Sequence, residues 1–386
     1  MIPGSAVYHV VEAMAPLYTA ALLGYASVRW LKAFSDEQCS GINHFVAIYA
    51  LPVLIFHTVS TNDPYHMKGR LVAADTLQKA AVLAGLTAWA LVWPRLLRRR
   101  GKESDSSAAV KWVVTSFSVA TLPNTIIIGV PLLHGMYGDV SGGLMKQIVV
   151  PQFCVWYNVV IFLYEFMAAR PRSGPRVTAA PAAIIMSRPT TRGGVRMWNS
   201  VPSTDGGVAM VDVPLPTPAQ DQSPSMMHVL VTAGKKLLKI PNTYASFLGL
   251  IWSLVAFKVG IEMPEIVSDC LFIIHTTAVG LSMFTTGTFI ARQSRFVPCG
   301  YTVASISMVL KFLVGPVIML LTSLAIGLHG TLLRVAVVQA ALPLAVTSFV
   351  FAEEYKVHAD IMSTGVILGI FISLPVTIVY YILLGL

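Results

Sequence analysis

Charged side chains are scarce in this sequence: Asp, Glu, Lys and Arg make up 12% of its 386 residues. A soluble domain carries about 25% charged residues, so this chain lacks the surface that water requires. Hydrophobic residues reach 55%, and they gather in runs of about 20, the length that crosses a bilayer as a helix. The deficit of charge excludes a soluble domain and predicts an all-α integral membrane protein.

The sequence also lacks the patterns that mark disulfide scaffolds, zinc sites and most enzymes. Its four cysteines are scattered and form no C-x-x-C pair. It contains no H-E-x-x-H, G-x-S-x-G or P-loop, and no G-x-G-x-x-G placed between a strand and a helix. We therefore predict that the protein is not an enzyme and holds no cofactor and no metal.

Ten apolar runs are long enough to cross a membrane. A helix rises about 1.5 Å per residue, so roughly 20 residues span a hydrocarbon layer of about 30 Å. The predicted transmembrane helices cover residues 6–28, 44–61, 71–94, 112–134, 147–168, 241–259, 266–291, 298–327, 332–352 and 361–385.

A polar segment, residues 169–236, separates the first five runs from the last five. It is rich in Pro, Arg, Ser, Thr and Gly, so it cannot bury a core and is predicted to be a disordered loop. The chain then divides into a first five-helix repeat, 1–168, and a second, 237–386. Because five is odd, the second repeat enters the membrane from the opposite side, which is the geometry of inverted repeats in secondary transporters.

A proline stands in the middle of the fourth run of each half. The two sequences are Leu122-Pro123-Asn124-Thr125 and Leu342-Pro343-Leu344-Ala345. Proline removes a backbone hydrogen bond and breaks a helix, and broken backbone at membrane depth is tolerated only around a protein-lined cavity. A matched pair of breaks favours a binding site at the bilayer midplane, whereas a lone proline is more often a simple kink.

The net charge of +9 does not indicate a nucleic-acid partner, since the basic residues lie in the connections between apolar runs. Most of the 27 lysines and arginines follow odd-numbered runs. The positive-inside rule then places the central loop in the cytosol and both termini on the other side. The cluster Arg98-Arg99-Arg100 fits this topology and contact with membrane lipid headgroups better than a ligand site.

Polar groups inside a membrane are expensive, so each is a candidate for function. Asp75 and Lys79 are spaced to pair on one helix face. They form either the polar centre of a moving bundle or a structural ion pair near the surface. Asn124 directly follows Pro123, where its amide and the start of a half-helix suit a carboxylate. The alternative is that Asn124 caps its own broken helix.

Other polar residues in the apolar runs fit packing roles as readily as functional ones. Gln152, Tyr157 and Asn158 lie on the fifth run, where interhelical hydrogen bonds are a common use of such groups. The residues predicted to have packing or interfacial roles are His57, His275, Lys311, Glu12, Glu353 and Glu354.

Longer stretches of this sequence resemble the plant PIN auxin efflux carriers. The resemblance covers both membrane halves, and only the central loop is unmatched. The matching stretches are APLY at 15–18, QCSGIN at 38–43, AADTLQK at 73–79, LPNT at 122–125, GVPLL at 129–133, PNTY at 241–244, VQAALP at 338–343, STGVI at 363–367 and YYILLGL at 380–386.

The resemblance implies a ten-helix inverted repeat, similar to the bile-acid and sodium–proton transporter folds and usually a homodimer. It implies a scaffold of helices 1, 2, 6 and 7, with the others moving as an elevator. The implied activity is export of the auxin anion, indole-3-acetate, from the cytosol without an obligatory ion partner. Asn124 corresponds to the residue that contacts the auxin carboxylate, and Asp75, Lys79, Gln152 and Tyr157 match the family's polar support positions.

Several positions near the implied site depart from the family. Ile55 stands where a serine is usual, Leu51 replaces a common valine, and residues 344–348 replace Gln-Gly-Ile-Val-Pro. A run of threonines at 285–288 replaces a more apolar stretch. These changes bear on substrate preference. The residues expected to contact substrate are Asn124, Pro123, Pro343, Val346, Leu51 and Ile55.

The central loop is short beside those of polarised plasma-membrane relatives. Because short-loop relatives often lie in the endoplasmic reticulum, the resemblance leaves both membranes open. Ser and Thr residues near Arg188, Arg192 and Arg196 fit basic kinase sites, although such segments produce many chance matches. Two other functions stay open: transport of another organic anion, with ion coupling, and a non-transporting membrane receptor.

Overall fold

The apolar runs fold as helices, the conformation that satisfies its own backbone hydrogen bonds in lipid. The computed structural model describes residues 4–99, 106–169 and 226–385. The helices of these three segments are α1 Gly4–Arg29, α2 Asp36–Ser60, α3 Gly69–Arg99, α4 Ser106–Thr121, α5 Thr125–Tyr137, α6 Asp139–Ala168, α7 Met226–Leu237, α8 Pro241–Val259, α9 Glu265–Arg292, α10 Tyr301–Ala325, α11 Gly330–Ala340, α12 Val346–Glu354 and α13 Ala359–Gly385.

Six of the helices in these segments are long and apolar enough to cross a membrane: α2, α3, α6, α9, α10 and α13. The helices α4, α5 and α11 are apolar but shorter, because the predicted fourth and ninth membrane helices are each divided in two. The composition therefore predicted a multi-pass, all-helical protein correctly. The arrangement as two inverted five-helix repeats remains a prediction.

The described C-terminal part of the predicted disordered loop is helical. Disorder over 169–236 is wrong for residues 226–236, which belong to α7. Apolar residues recur along this segment at helical spacing, so it can bury one face although the sequence before it cannot. The remainder, 170–225, lies outside the described residues, and with it the kinase candidates near Arg188, Arg192 and Arg196.

Glu165, near the end of α6, joins α7 and the residue that follows α12 to this helix. Lys236 Nζ donates to Glu165 Oε2 at 2.9 Å, and the Tyr355 hydroxyl donates to Glu165 Oε1 at 2.6 Å. Burial raises the pKa of the Tyr355 phenol, and the hydrogen bond to Glu165 adds to this effect, so the phenol keeps its proton and can donate. Both oxygens of the buried Glu165 carboxylate are therefore paired.

Prolines widen three membrane helices without breaking them. Proline lacks an N–H and collides with the carbonyl four residues before it, so the preceding turn opens to π-helical spacing. The turns and the prolines that follow them are Val46–Ala50 with Pro52, Thr125–Gly129 with Pro131, and Leu310–Val314 with Pro316. A fourth π-turn, Gln152–Trp156, directly follows Pro151 in α6.

The two broken helices cross at their central prolines. The segment between α4 and α5 runs antiparallel to the segment between α11 and α12, and Pro123 pairs with Leu344 in a single β-bridge. The Asn124 N–H donates to the Pro343 carbonyl at 2.8 Å, and the Ala345 N–H donates to the Leu122 carbonyl at 3.3 Å. Each break thus satisfies backbone groups that the other break leaves free.

Glycines allow α1 and α9 to lie against each other at short range. A Cβ atom on Gly287 would stand 1.8 Å from the Ala21 carbonyl oxygen, and one on Gly24 would stand 2.0 Å from the Phe284 oxygen. Small residues at such crossings are typical of membrane helices, since close packing replaces the hydrophobic effect there. α9 also packs on α2, and α2 on α8.

The other membrane helices pack around the crossover. α3 packs on α4 and α10, α10 on α11, and α12 on α13. One side of the crossover meets α2 and α9, and this junction positions the candidate site.

Candidate functional site

A cavity of about 200 Å³ lies at this junction, beside the crossover. α2 contributes Leu51 and Ile55, the first break contributes Pro123 and Asn124, and α12 contributes Val346. Most of its wall is apolar, and none of the lining residues, all within the described segments, carries a charge. The cavity therefore brings together five of the six residues predicted to contact substrate.

Asn124 presents its side chain to this cavity and is 7% exposed. Its backbone is held by the Pro343 carbonyl. Within the described chain its side chain makes no capping hydrogen bond, so the capping alternative does not apply in this structure. The carboxamide is left free to donate to a ligand.

Two helix starts meet at the same wall. The first N–H groups of a helix have no acceptor within that helix, and Ile126 and Ile127 of α5, like Val346 and Thr347 of α12, line the cavity. Both helix ends carry partial positive charge. The wall therefore offers neutral donors and dipoles, which suit a carboxylate without a fixed positive charge.

Pro343 takes a different position from the other predicted contacts. Within the described residues it does not belong to the cavity lining, and it acts instead through its carbonyl, which fixes the backbone of Asn124. Leu51, Ile55 and Val346 supply apolar surface, and Ile55 is 1% exposed. These three side chains can hold an aromatic ring but cannot bind a charged group.

Gln152 and Tyr157 form hydrogen bonds with residues of the two helix breaks that line the cavity. Gln152 Nε2 donates to the Pro123 carbonyl at 3.0 Å, and Gln152 Oε1 accepts the Thr125 hydroxyl at 2.7 Å. Tyr157 lines the cavity and accepts the hydroxyl of Thr347 at 3.0 Å. The two side chains therefore hold both sides of the crossover in place.

Asp75 and Lys79 form an ion pair on α3, and neither side chain is exposed to solvent. Gln339 on α11 donates from Nε2 to Asp75 Oδ1 at 3.0 Å. Gln78 donates to the Gly315 carbonyl on α10 at 3.0 Å. The pair is therefore part of a buried polar network that connects α3 with α10 and α11, and it lies outside the cavity wall.

The remaining polar candidates do not line the cavity. His57 and His275 stack with ring centroids 3.9 Å apart. Asn158 accepts the Thr243 hydroxyl at 2.9 Å, and so joins α6 to α8. Lys311 is 1% exposed, and its Nζ has no hydrogen-bond partner within the described segments. The other three, Glu12, Glu353 and Glu354, are exposed.

The sequence analysis did not select three residues that belong here. Gln339 pairs with Asp75, whereas Asn242 and Ser282 line the cavity. Asn242 Oδ1 and Ser282 Oγ are both buried, and among the described residues neither has a hydrogen-bond partner. Gln339 lies four residues before Pro343, a signal that could have found it, but a single Asn at a helix start or a single Ser inside a helix carries no such signal.

Comparison with known proteins connects this cavity to a transport family. The sequence profile of the family described as "Membrane transport protein" matches residues 9–381. The chain is 64% identical to "Probable auxin efflux carrier component 9" of Oryza sativa subsp. japonica over 431 residues, covering all of both chains. The chain belongs to the auxin efflux carrier family. This carrier is thus a member of a transporter family and not an enzyme.

Other relatives of the carrier differ in length. It is 39% identical to "Auxin efflux carrier component 8" of Arabidopsis thaliana over 392 residues, covering all of both chains. It is 32% identical to "Probable auxin efflux carrier component 1c" of rice over an alignment of 604 residues, again covering both. The carrier therefore has the length of the shorter relative, as expected for a member with a short central loop.

Proposed function

We propose that this protein is a secondary transporter that exports auxin, as the indole-3-acetate anion, from the cytosol. The observation that carries the proposal is the cavity at the crossover, where the free carboxamide of Asn124 and two helix starts face apolar walls. Its relatives bear the name auxin efflux carrier, and indole-3-acetate has one carboxylate and one aromatic ring. The ligand fits these two kinds of surface.

The carboxylate binds at Asn124 and at the free N–H groups that open α5 and α12. The ring packs against Leu51, Ile55 and Val346. Because none of the described lining residues is a cation, neutral donors and dipoles hold the anion, and its release costs less than the separation of a buried ion pair. A carrier needs such reversible binding.

The membrane potential supplies the driving force. A weak acid ionises in the neutral cytosol, and an interior-negative potential drives one negative charge outward with about 2.3 kcal/mol per 100 mV. The sequence has no P-loop to couple ATP to transport. In this proposal the anion moves down its own electrochemical gradient as a uniport, without an obligatory ion partner.

The architecture in this proposal is a ten-helix inverted repeat that works as an elevator, most simply as a homodimer. The crossover moves with the helices around it, while α1, α2, α8 and α9 remain as a scaffold. Two observations support this division: the short packing distance between α1 and α9, and the matched antiparallel breaks. The Asp75–Lys79 network keeps the mobile helices together.

The proposed topology puts the central loop in the cytosol and both termini on the opposite side. The carrier lies in the plasma membrane or the endoplasmic reticulum membrane, with lipid around it and kinases as partners of the loop. The cavity walls come from the loop-side ends of the membrane helices, such as Pro241 and Asn242 at the start of α8 and Thr285 and Thr286 late in α9. The conformation is therefore open toward the cytosol.

The test replaces Asn124 with alanine and measures labelled indole-3-acetate efflux from vesicles. We expect Asn124→Ala to reduce efflux at least about tenfold, since it removes a charge-assisted hydrogen bond of about 1.5–3 kcal/mol. Asn124→Asp keeps the shape and places a negative charge beside the carboxylate, so it should lower efflux further. Both variants should be expressed at normal levels with unchanged melting temperatures.

Three results would redirect the proposal. Normal efflux by Asn124→Ala would remove this residue from the mechanism. Stimulation of flux by a sodium or pH jump, or stronger competition by another organic anion, would favour an ion-coupled carrier of a different substrate. Binding of indole-3-acetate without flux would favour a receptor.

A further inference from the structure

One wall of the cavity is formed by hydroxyl side chains of α9. Ser282, Thr285 and Thr286 are spaced three and four residues apart, which puts them on one helix face, and all three line the cavity. They lie on the opposite helix group from Asn124, which belongs to the crossover. A ligand bound at Asn124 therefore faces this hydroxyl wall with its other end.

The three hydroxyls differ in how they are satisfied. Thr285 and Thr286 both donate to the Ser282 carbonyl, at 3.0 and 2.7 Å, so their protons are used within α9. Ser282 Oγ is different, since the residue is 5% exposed and this atom has no partner in the described segments. A buried hydroxyl without a partner is unfavourable, and a ligand that supplies the partner gains affinity.

We propose that Ser282 Oγ accepts the N–H of the indole ring and thereby makes this carrier select indole acids over arylacetates that lack an N–H. The inference rests on the proposed function, because it assumes that the carboxylate lies at Asn124. The ring of indole-3-acetate has a single donor, its N–H, and Ser282 Oγ is a buried acceptor that has no partner among the described residues. Leu51, Ile55 and Val346 cannot discriminate in this way, because they have no polar atoms in their side chains.

The test measures equilibrium binding to the purified carrier, which needs no transport. The probes are indole-3-acetate and benzofuran-3-acetate, which has nearly the same shape but a ring oxygen in place of the N–H. We expect Ser282→Ala to weaken binding of indole-3-acetate about tenfold, the value of one good hydrogen bond, and to change binding of benzofuran-3-acetate less than about twofold. Ser282→Thr, which keeps a hydroxyl, should preserve the preference for indole.

Ser323 is a matched control. It is fully buried in α10, its hydroxyl also lacks a partner among the described residues, and it does not belong to the cavity lining. Ser323→Ala should leave the affinities for both acids unchanged. If Ser323→Ala reproduced the effect, the loss would reflect a general change in the helix bundle and not a contact with the ring.

Three outcomes overturn the assignment. Equal weakening of both acids by Ser282→Ala would mean that the hydroxyl contacts the carboxylate or packs. Loss of discrimination in Asn242→Leu but not in Ser282→Ala would assign the N–H to Asn242, the other unpartnered acceptor in the lining. Failure of the wild-type carrier to bind either acid would overturn the proposed function too, whereas selective binding without flux would overturn export alone.

Discussion

The polar contacts of the candidate site depend on single side chains, because the helices around it contain few polar residues. Gln152 uses both ends of its amide to fix Pro123 and Thr125, and this leaves the neighbouring Asn124 amide free for a ligand. Gln152 thus holds the backbone of the wall in place, whereas the Asn124 side chain can bind a ligand. Removing either should weaken binding, the first through the shape of the wall and the second through the contact itself.

At the same scale, the Asp75–Lys79 pair predicts an asymmetry between single and double substitution. Lys79→Met leaves Asp75 buried and uncompensated, so it should destabilise the protein by about 3–5 kcal/mol. Replacing both residues, with Asp75→Leu and Lys79→Met, removes both charges from the interior and should recover most of that loss. The measurement is the melting temperature of the purified carrier in detergent.

A double variant less stable than Lys79→Met would contradict this expectation. It would mean that the hydrogen bond from Gln339 to Asp75, at 3.0 Å, stabilises the bundle more than the charges destabilise it. Efflux measured on the stable double variant then separates stability from transport. Efflux should remain low even where the melting temperature recovers, because in the proposed mechanism the network connects helices that move together.

The sequence drew attention to Asp75, Lys79 and Asn124 but not to Ser282 or Asn242. Asp75 and Lys79 are conspicuous, since charged residues inside an apolar run have few explanations, and Asn124 stands beside a proline. Ser282 and Asn242 are ordinary residues in their local sequence. Their importance comes from packing, which buries an oxygen and provides no partner for it, and a sequence pattern does not contain that information.

At the scale of elements, the two breaks were predictable and their pairing was not. Pro123 and Pro343 each show that a helix stops, because proline cannot donate and collides with the preceding turn. That Pro123 would pair with Leu344 depends on contacts more than 200 residues apart in sequence. The π-turns before Pro52 and Pro316 have the same cause, so a proline inside an apolar run predicts either a break or a wide turn, and tertiary packing decides which.

The contact between α1 and α9 gives a prediction at this scale. A Cβ at Gly287 would collide with the Ala21 backbone, which cannot rotate away, so Gly287→Ala must push the two helices apart. We expect it to destabilise the carrier by about 1–3 kcal/mol or more. Gly280 on the same helix has open space around its Cβ position, so Gly280→Ala should stabilise by up to about 1 kcal/mol through helix propensity.

Thermal unfolding of the two alanine variants checks this pair. Equal melting temperatures for Gly287→Ala and Gly280→Ala would show that α1 and α9 separate without penalty. The scaffold assignment of these two helices would then lose its main support.

For the whole molecule, the decisive feature is that the cavity lies where two groups of helices meet, on the side of the central loop. Val350 lines this cavity and is 38% exposed, whereas Val140, at the other end of the bundle, is 70% exposed. In the proposed topology these two positions face opposite sides of the membrane. The orientation of the carrier and of its cavity can therefore be tested together.

The experiment uses single cysteines and a membrane-impermeant thiol reagent. The background carries Cys270→Ser and Cys299→Ser, because these two cysteines are at least partly exposed, whereas Cys39 and Cys154 are buried. We expect Val350→Cys to react from the cytosolic face, with protection by indole-3-acetate. Val140→Cys should react from the opposite face without protection. Reaction of both variants from one face would contradict the topology.

The ends of the central loop are fixed to each other by Glu165, which binds Lys236 at the end of α7 and lies near the end of α6. The chain segment between these two residues therefore closes a ring, and its length can differ while the two attachment points stay in place. The entropy of closing such a ring grows with the logarithm of its length, about 0.6 kcal/mol for each doubling. A carrier built this way can gain or lose regulatory sequence at this point almost without thermodynamic effect on the bundle that moves the substrate.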